Sequence, residues 1–278
     1  MDFHTITLML LAGLLHAGWP SLVKSGADQL TVLAGMGLVA SIAVGAAIPF
    51  LPAPPVAIWP VMVASIGLHV AYRLALTSAY SRGDLGQAFP LARGAVPLLA
   101  AFLAFLVLGQ VPTTGQYIGI GFISAGLLIL ALERLGDGIN WPLLAAAAAA
   151  GLTVACYSVL DAYGTRLSAS WAGFTAWLIV LDNGAFLCLS RLLRGKSLWI
   201  GFAAMRYRIL ASGLLGVVSF SVFLWALSRS PVGAVSALRE TSVLFALLIG
   251  VWIHRETWSV RRVAGAVLTV VGIVTIAA

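Results

Sequence analysis

Val235–Glu256 reads VSALRETSVLFALLIGVWIHRE, and Leu91–Gln110 reads LARGAVPLLAAFLAFLVLGQ. Both passages are apolar enough to enter a bilayer, yet each carries an arginine near its start. Displacing the second by 146 residues lays Arg93 on Arg239, Ala100 on Ala246 and Gln110 on Glu256. The same displacement carries Gly119 onto Gly265 and Gly126 onto Gly272, while upstream SRGDLG meets SRSPVG at 147. Each coincidence is small, but all keep their order, so the chain reads as two copies of one unit. A charge at bilayer depth costs about 2.5–3.5 kcal/mol even on permissive scales, and such residues face protein or a wet cavity. Arg93, Arg239 and the adjacent Glu240 are therefore assigned to the interior.

The 278 residues are 61% hydrophobic and 9% charged, against roughly 25% charged in soluble domains. One spanning helix takes about 20 apolar residues, which leaves room for about ten on short loops. Punctuation by Pro, Gly and charge predicts helices at 3–23, 29–50, 57–80, 85–108, 114–132, 140–162, 170–192, 207–227, 231–253 and 258–277. Five spans per copy is an odd number, so the second copy enters the membrane in the opposite sense. The expected fold is an all-α membrane protein of ten transmembrane helices, a 5+5 inverted repeat with halves 1–135 and 138–278. Inverted repeats with a site at their interface are a transporter architecture.

The net charge of +7 sits at loop ends without interleaved aromatics, which points to membrane lipid as a partner and not to nucleic acid. Loops after odd-numbered helices hold Lys24, Arg82, Arg134, Arg191, Arg194, Lys196, Arg206, Arg255, Arg261 and Arg262; those after even-numbered helices hold Arg166 and Arg229. The odd loops are expected in the cytoplasm. Cys156 and Cys188 lie in apolar runs and are expected as buried thiols without a disulfide. The N-terminal MDFHTITLML lacks a basic leader and is read as a retained first helix.

With these features in place, the chain resembles the EamA-type branch of the drug/metabolite transporter superfamily. The resemblance rests on ten helices in related halves, each closing with a short loop, an apolar helix, an acidic or amide residue and a Gly-rich helix. These passages run from SRGDLGQAFPLARG to GLLIL and from SRSPVGAVSALRET to VVGIV. The family usually has Glu where this chain has Gln110. The resemblance implies a secondary transporter in a bacterial plasma membrane, often an exporter, of small metabolites such as amino acids. Relatives of the same architecture move phosphorylated or nucleotide-type solutes.

Arg239 lies about eight residues, or roughly 12 Å, into its helix, near the middle of a core about 30 Å thick. Arg93 reaches a similar depth from the opposite side, and the two guanidiniums are expected to form a positive floor able to fork onto a carboxylate or phosphate. The alternative is an arginine bound to helix-end carbonyls or snorkelling to the membrane surface. Glu240 is expected either to carry a proton or to neutralise Arg93. Asp182, deep in AWLIVLDNGAFLCL, is expected to pair with Arg73, Arg93 or Arg239, or to carry a proton. His69 and Arg73 share a helix face flanked by Tyr72. His16 and Trp19 stand one turn apart before Pro20, which frees a backbone carbonyl. Tyr157 and Asp161 either line the same space or, for Asp161, end a helix; Trp177 is a further aromatic candidate.

The expected function is secondary active transport by alternating access, with an amino acid or organic anion as substrate. A phosphorylated or nucleotide-type solute is the alternative. A non-transporting accessory subunit, the reading of another class, would show polar residues outside the helices, whereas here they fall inside them. An enzyme is not expected: no nucleophile neighbours His16 or His69, and no His/Glu spacing suggests a metal. No cofactor is expected, and the chain is read as a monomer or homodimer.

Overall fold

The computed structural model describes residues 1–278 except 25, 27, 84–89, 134–139 and 255–258, with backbone alone at 24, 132, 133 and 249–254. Arg134, Arg255 and Glu256 of the sequence reading thus lie outside the described residues, as does the side chain of Lys24.

Helices are α1 Phe3–Lys24, α2 Gln29–Gly45, α3 Trp59–Arg82, α4 Val96–Leu108, α5 Thr114–Glu133, α6 Trp141–Leu167, α7 Trp171–Arg194, α8 Ser197–Ala204, α9 Arg206–Leu227, α10 Val232–Arg239, α11 Ser242–His254 and α12 Val260–Ala277. The polar residues that punctuate the sequence are the helix caps. Asp28 receives Thr31 N–H, Asn140 receives Leu143 N–H, Ser170 receives Gly173 N–H and Ser259 receives Arg262 N–H, each filling one of the orphan donors of a helix start. Asp28 also takes a forked contact from Arg194 Nε and Nη2 at 2.8 and 3.0 Å, tying α2 to the end of α7. Gln110 performs a cap at long range. Its Oε1 accepts Val232 N–H at 3.0 Å, at the first turn of α10 in the other half, so an amide serves at that position.

Nine helices among the described residues are long and apolar enough to cross a membrane. The remaining span is α10 and α11 in series. The predicted continuous helix 231–253 is therefore corrected: it breaks after Arg239, where Glu240 and Thr241 form a turn. Thr241 Oγ1 donates to Leu238 O at 2.7 Å, and Val243 N–H bonds Glu240 O, three residues back, at 3.0 Å. A side chain competing for helical carbonyls disrupts the regular ladder. The fourth span, Pro90–Leu108, breaks at Gly94–Ala95. There Pro97 has no N–H to give Arg93 O and its ring crowds that carbonyl. The two breaks fall at matching positions of the two halves, each just after an arginine.

Smaller departures are the helix α8, which interrupts the predicted loop after the seventh span, and the end of α2 at Gly45, followed by a 3₁₀ turn at Ile48–Phe50. The cysteines are not buried as expected: Cys156 is half-buried and Cys188 exposed, both free.

Packing reproduces the repeat. α1 lies on α9 as α3 lies on α6, exchanging equivalent partners, and α2 packs on α7 and α5 on α12. At the last crossing a Cβ on Gly119 would sit 2.6 Å from Gly272 O, and one on Gly126 would sit 2.6 Å from Gly265 O. Since Gly119 corresponds to Gly265 and Gly126 to Gly272, these contacts are one contact and its two-fold mate. Small residues let backbones meet where lipid offers no hydrophobic drive for association. Outward faces are oily, as with Phe102 and Phe105 on α4 and Val263 and Val267 on α12, while Arg93, Asp161, Asp182, Arg239 and Glu240 are buried.

Gly119→Ala is expected to lower detergent-solubilised stability by about 1–3 kcal/mol through overpacking. Gly121→Ala, where a Cβ meets nothing within 4 Å, is expected to be nearly silent. Equal melting temperatures for the two variants would contradict the close crossing.

Candidate functional site: a central cavity between the two halves

A cavity of about 690 Å³, its open mouth included, is lined by residues of α1, α2, α3, α6, α7, α9 and α10. Of the residues singled out in the sequence, His16, Trp19, His69, Tyr72, Arg73, Tyr157, Asp182 and Arg239 border it. Arg93, Glu240 and Trp177 do not. Arg93 and Glu240 lie behind the wall, fully buried, and Trp177 packs edge-on against Trp59 at 5.7 Å.

The expected twin-arginine floor is corrected by what stands next to each guanidinium. Arg93 Nη1 donates to Glu240 Oε1 at 2.9 Å, and Nη2 donates to Tyr72 OH at 2.9 Å. Its charge is thus spent on an acid from the other half. Arg73 pairs with Asp182 and donates to Asn183 Oδ1 at 2.9 Å. Asn183 is itself held by donating Nδ2 to Ile179 O.

Arg239 differs. Its Nη1 donates to Tyr157 OH at 3.3 Å, and its guanidinium lies 4.2 Å from the centre of Phe223 and 6.0 Å from that of Phe220. Among the described residues no carboxylate forms an ion pair with it. Aromatic faces attract a cation through their quadrupole without cancelling its charge. Arg239 therefore presents a buried positive group to the cavity, held at the end of α10 where the helix breaks.

Two further arrangements complete the wall. Trp19 Nε1 donates to His16 Nδ1 at 3.1 Å, while Arg93 Nη2 stands 3.3 Å from His16 Nε2. Asp161 is wholly buried, not at a helix end: Ser65 Oγ donates to its Oδ1, and His69 Nε2 lies 3.1 Å from its Oδ2. The His69 ring stacks on Tyr157 at 3.8 Å and meets Phe220 edge-on at 5.4 Å. Ser65, Phe220, Phe223 and Asn183 were missed in the sequence. Phe220 and Phe223 stand three apart in SFSVFLW, a spacing that sets them on one helix face, but so do many lipid-facing aromatics. Among the described residues no cluster of three or more metal-ligating side chains occurs.

Discontinuous spans, an inverted repeat and a polar cavity at the seam together define a membrane transporter of small solutes. The chain belongs to the EamA-like transporter family, whose profile matches residues 4–132 and again 137–278. A solved structure, titled only as a crystal structure of a protein, is similar with a TM-score of 0.72 at 18% identity, over 98% of this chain and 94% of that one; the likeness is one of fold. A search of curated proteins returned no significant match.

Removing one member of a buried ion pair strands the other, at about 3–5 kcal/mol. Arg93→Gln and Glu240→Gln are each expected to destabilise the detergent-solubilised protein by that order, and the double variant by much less than their sum. Additive losses in thermal unfolding would show that the pair is not coupled.

Proposed function

We propose that the chain is a secondary active transporter that carries a small solute bearing one carboxylate, an amino acid or an organic monoanion, by alternating access. The observation that carries this reading is Arg239: buried at 6% exposure, cavity-facing and without a carboxylate ion pair among the described residues. Leaving such a charge unbalanced in a low-dielectric site is costly, and an incoming carboxylate lowers that cost through a charge-assisted, forked contact. His69, Tyr72, Tyr157, His16 and Trp19 supply rings against which an apolar portion of the solute packs. Asp182, whose Oδ1 is buried without a hydrogen-bond partner among the described residues, offers an acceptor for an amino group. Arg93 acts from behind the wall by fixing Tyr72 and Glu240, and Trp177 by packing.

A phosphorylated solute is supported less, because a dianion calls for a second unmatched cation and Arg73 is already matched by Asp182. Outward transport across a bacterial plasma membrane, with odd-numbered loops cytoplasmic, belongs to the same reading. The charge bias supports the placement of the loops, and its exceptions are engaged structurally. Arg166 donates to Leu227 O and Ser230 O at the end of α9, and Arg229 covers the Trp225 ring at 4.4 Å.

A thermal-shift panel of L-phenylalanine, benzoate, glucose 6-phosphate and choline tests the reading. A carboxylate at 100 times its Kd is expected to stabilise the protein by about 2.7 kcal/mol. Arg239→Gln is expected to weaken that response about 10- to 100-fold, as loss of a charged hydrogen bond does. Arg239→Lys should retain part of it. A carboxylate response undiminished in Arg239→Gln would remove the anion site.

A further inference from the structure

The acids around the cavity are not in equivalent settings. Glu240 is held by Arg93 and Asp182 by Arg73, each facing a permanent cation that matches its charge. His16 has both ring nitrogens facing donors, Trp19 Nε1–H and Arg93 Nη2–H, and an imidazolium has no lone pair to offer either. Asp161 alone among these acids has partners of no fixed charge, the Ser65 hydroxyl and the His69 imidazole. It is fully buried, and His69 borders the cavity, so the pair has one member out of water and one member at the wall.

We propose that the His69–Asp161 pair is the proton-binding site of the transport cycle, loading one proton together with one carboxylate on Arg239; this rests on the anion-site reading above. The proton arrives from water through the cavity and resides on the imidazole or the carboxyl, and no other bond changes. Charge balance sets the coupling. With the Arg93–Glu240 and Arg73–Asp182 pairs each neutral, Arg239 positive and Asp161 negative remain, and a carboxylate bound on Arg239 without a proton would leave a net negative charge in the buried site. Proton loading makes the His69–Asp161 pair neutral and leaves Arg239 uncompensated, and one carboxylate restores balance. Each ligand thus favours the other, and the coupling is reciprocal. Proton and carboxylate cross together, and the outward direction proposed above then requires the outward carboxylate gradient to exceed the inward proton gradient.

The groups facing His69 agree with this assignment. From α6 they are Asp161 and Tyr157, and from α7 Asp182, already matched by Arg73 on His69's own helix. From α10 comes Arg239, and from α1 His16, both on the same cavity wall; α2 contributes Leu33, Met36, Gly37 and Ala40, and α9 the Phe220 ring. Tyr157 is the physical link. One face stacks on His69 at 3.8 Å, and its hydroxyl accepts from Arg239 at 3.3 Å.

Calorimetric titration of benzoate and of 3-phenylpropionate, both monoanions, into the detergent-purified protein, in phosphate and in Tris at one pH, counts protons exchanged on binding. Wild type is expected to take up about one proton per carboxylate bound, with affinity rising up to about tenfold per unit fall in pH. Asp161→Asn should bind the carboxylate with no proton uptake and little pH dependence. Gly121→Ala, which lies outside the cavity lining and leaves both members of the pair in place, should retain the uptake. Binding to wild type without proton uptake overturns the proposal and leaves the anion site standing, as does uptake undiminished in Asp161→Asn. Binding as tight in Arg239→Gln as in wild type overturns the anion site instead, and failure of both probes to bind wild type overturns both.

Discussion

Arg93 and Glu240 meet at 2.9 Å with neither side chain exposed, and the placement of the site depends on that contact. Each comes from a different half of the chain, and each sits where a membrane-spanning helix is interrupted. Either charge alone would be expensive in so dry a place. Together they compensate, and Tyr72 fills a further donor position of the arginine. The pair therefore acts as a staple across the seam, holding the two helix breaks at one depth. Its value is positional more than energetic, since a buried ion pair is weak evidence for stability in itself.

From that staple the rest of the site can be placed. Arg239 is the residue immediately before Glu240, and successive residues on a helix point about 100° apart. With Glu240 directed at Arg93, Arg239 is turned toward the cavity, where Phe220, Phe223 and Tyr157 surround it. The helix break lets these neighbours serve different spaces without a long side chain crossing either. The close α5–α12 crossing, backbone against backbone at Gly119, Gly126, Gly265 and Gly272, lies on the pseudo-two-fold relation and keeps the two halves in register away from the cavity.

Much of the fold was legible because its signals are local or periodic. Apolar runs announce spans, capping residues announce their ends, and a fixed displacement announces a repeat. Depth along a helix brought Arg239 and Asp182 under suspicion, and spacing on one helix face brought His69, Arg73 and Tyr157; all border the cavity. Pairing was not legible. Arg93 finds its partner 147 residues away, and only three-dimensional distance decides between Glu240, Asp182 and open cavity. The break after Arg239 was hidden too: its counterpart is marked by Pro97, but here a threonine hydroxyl and a 3₁₀-like turn do the work. Asp161 was left between the cavity and a helix end, and the structure decides it because α6 runs on to Leu167, which puts the acid more than a full turn inside. The Phe220–Phe223 cage lay in an apolar helix where aromatic residues carry no distinguishing mark.

The final step lies in where the two halves fail to match. Position 93 repeats as arginine at 239, but the following residue is Gly94 in one half and Glu240 in the other. Had both halves carried the acid, two arginines and two acids would have been available at the seam, enough to neutralise each guanidinium across it. Had neither carried it, two like charges would have been left in a low-dielectric interior, each disfavouring the other's ionised form. One acid for two arginines satisfies the pair behind the wall and leaves one positive charge in front of it. The symmetry builds the cavity, and a single glycine-to-glutamate difference between the copies decides which of the two arginines is paired and which faces that cavity.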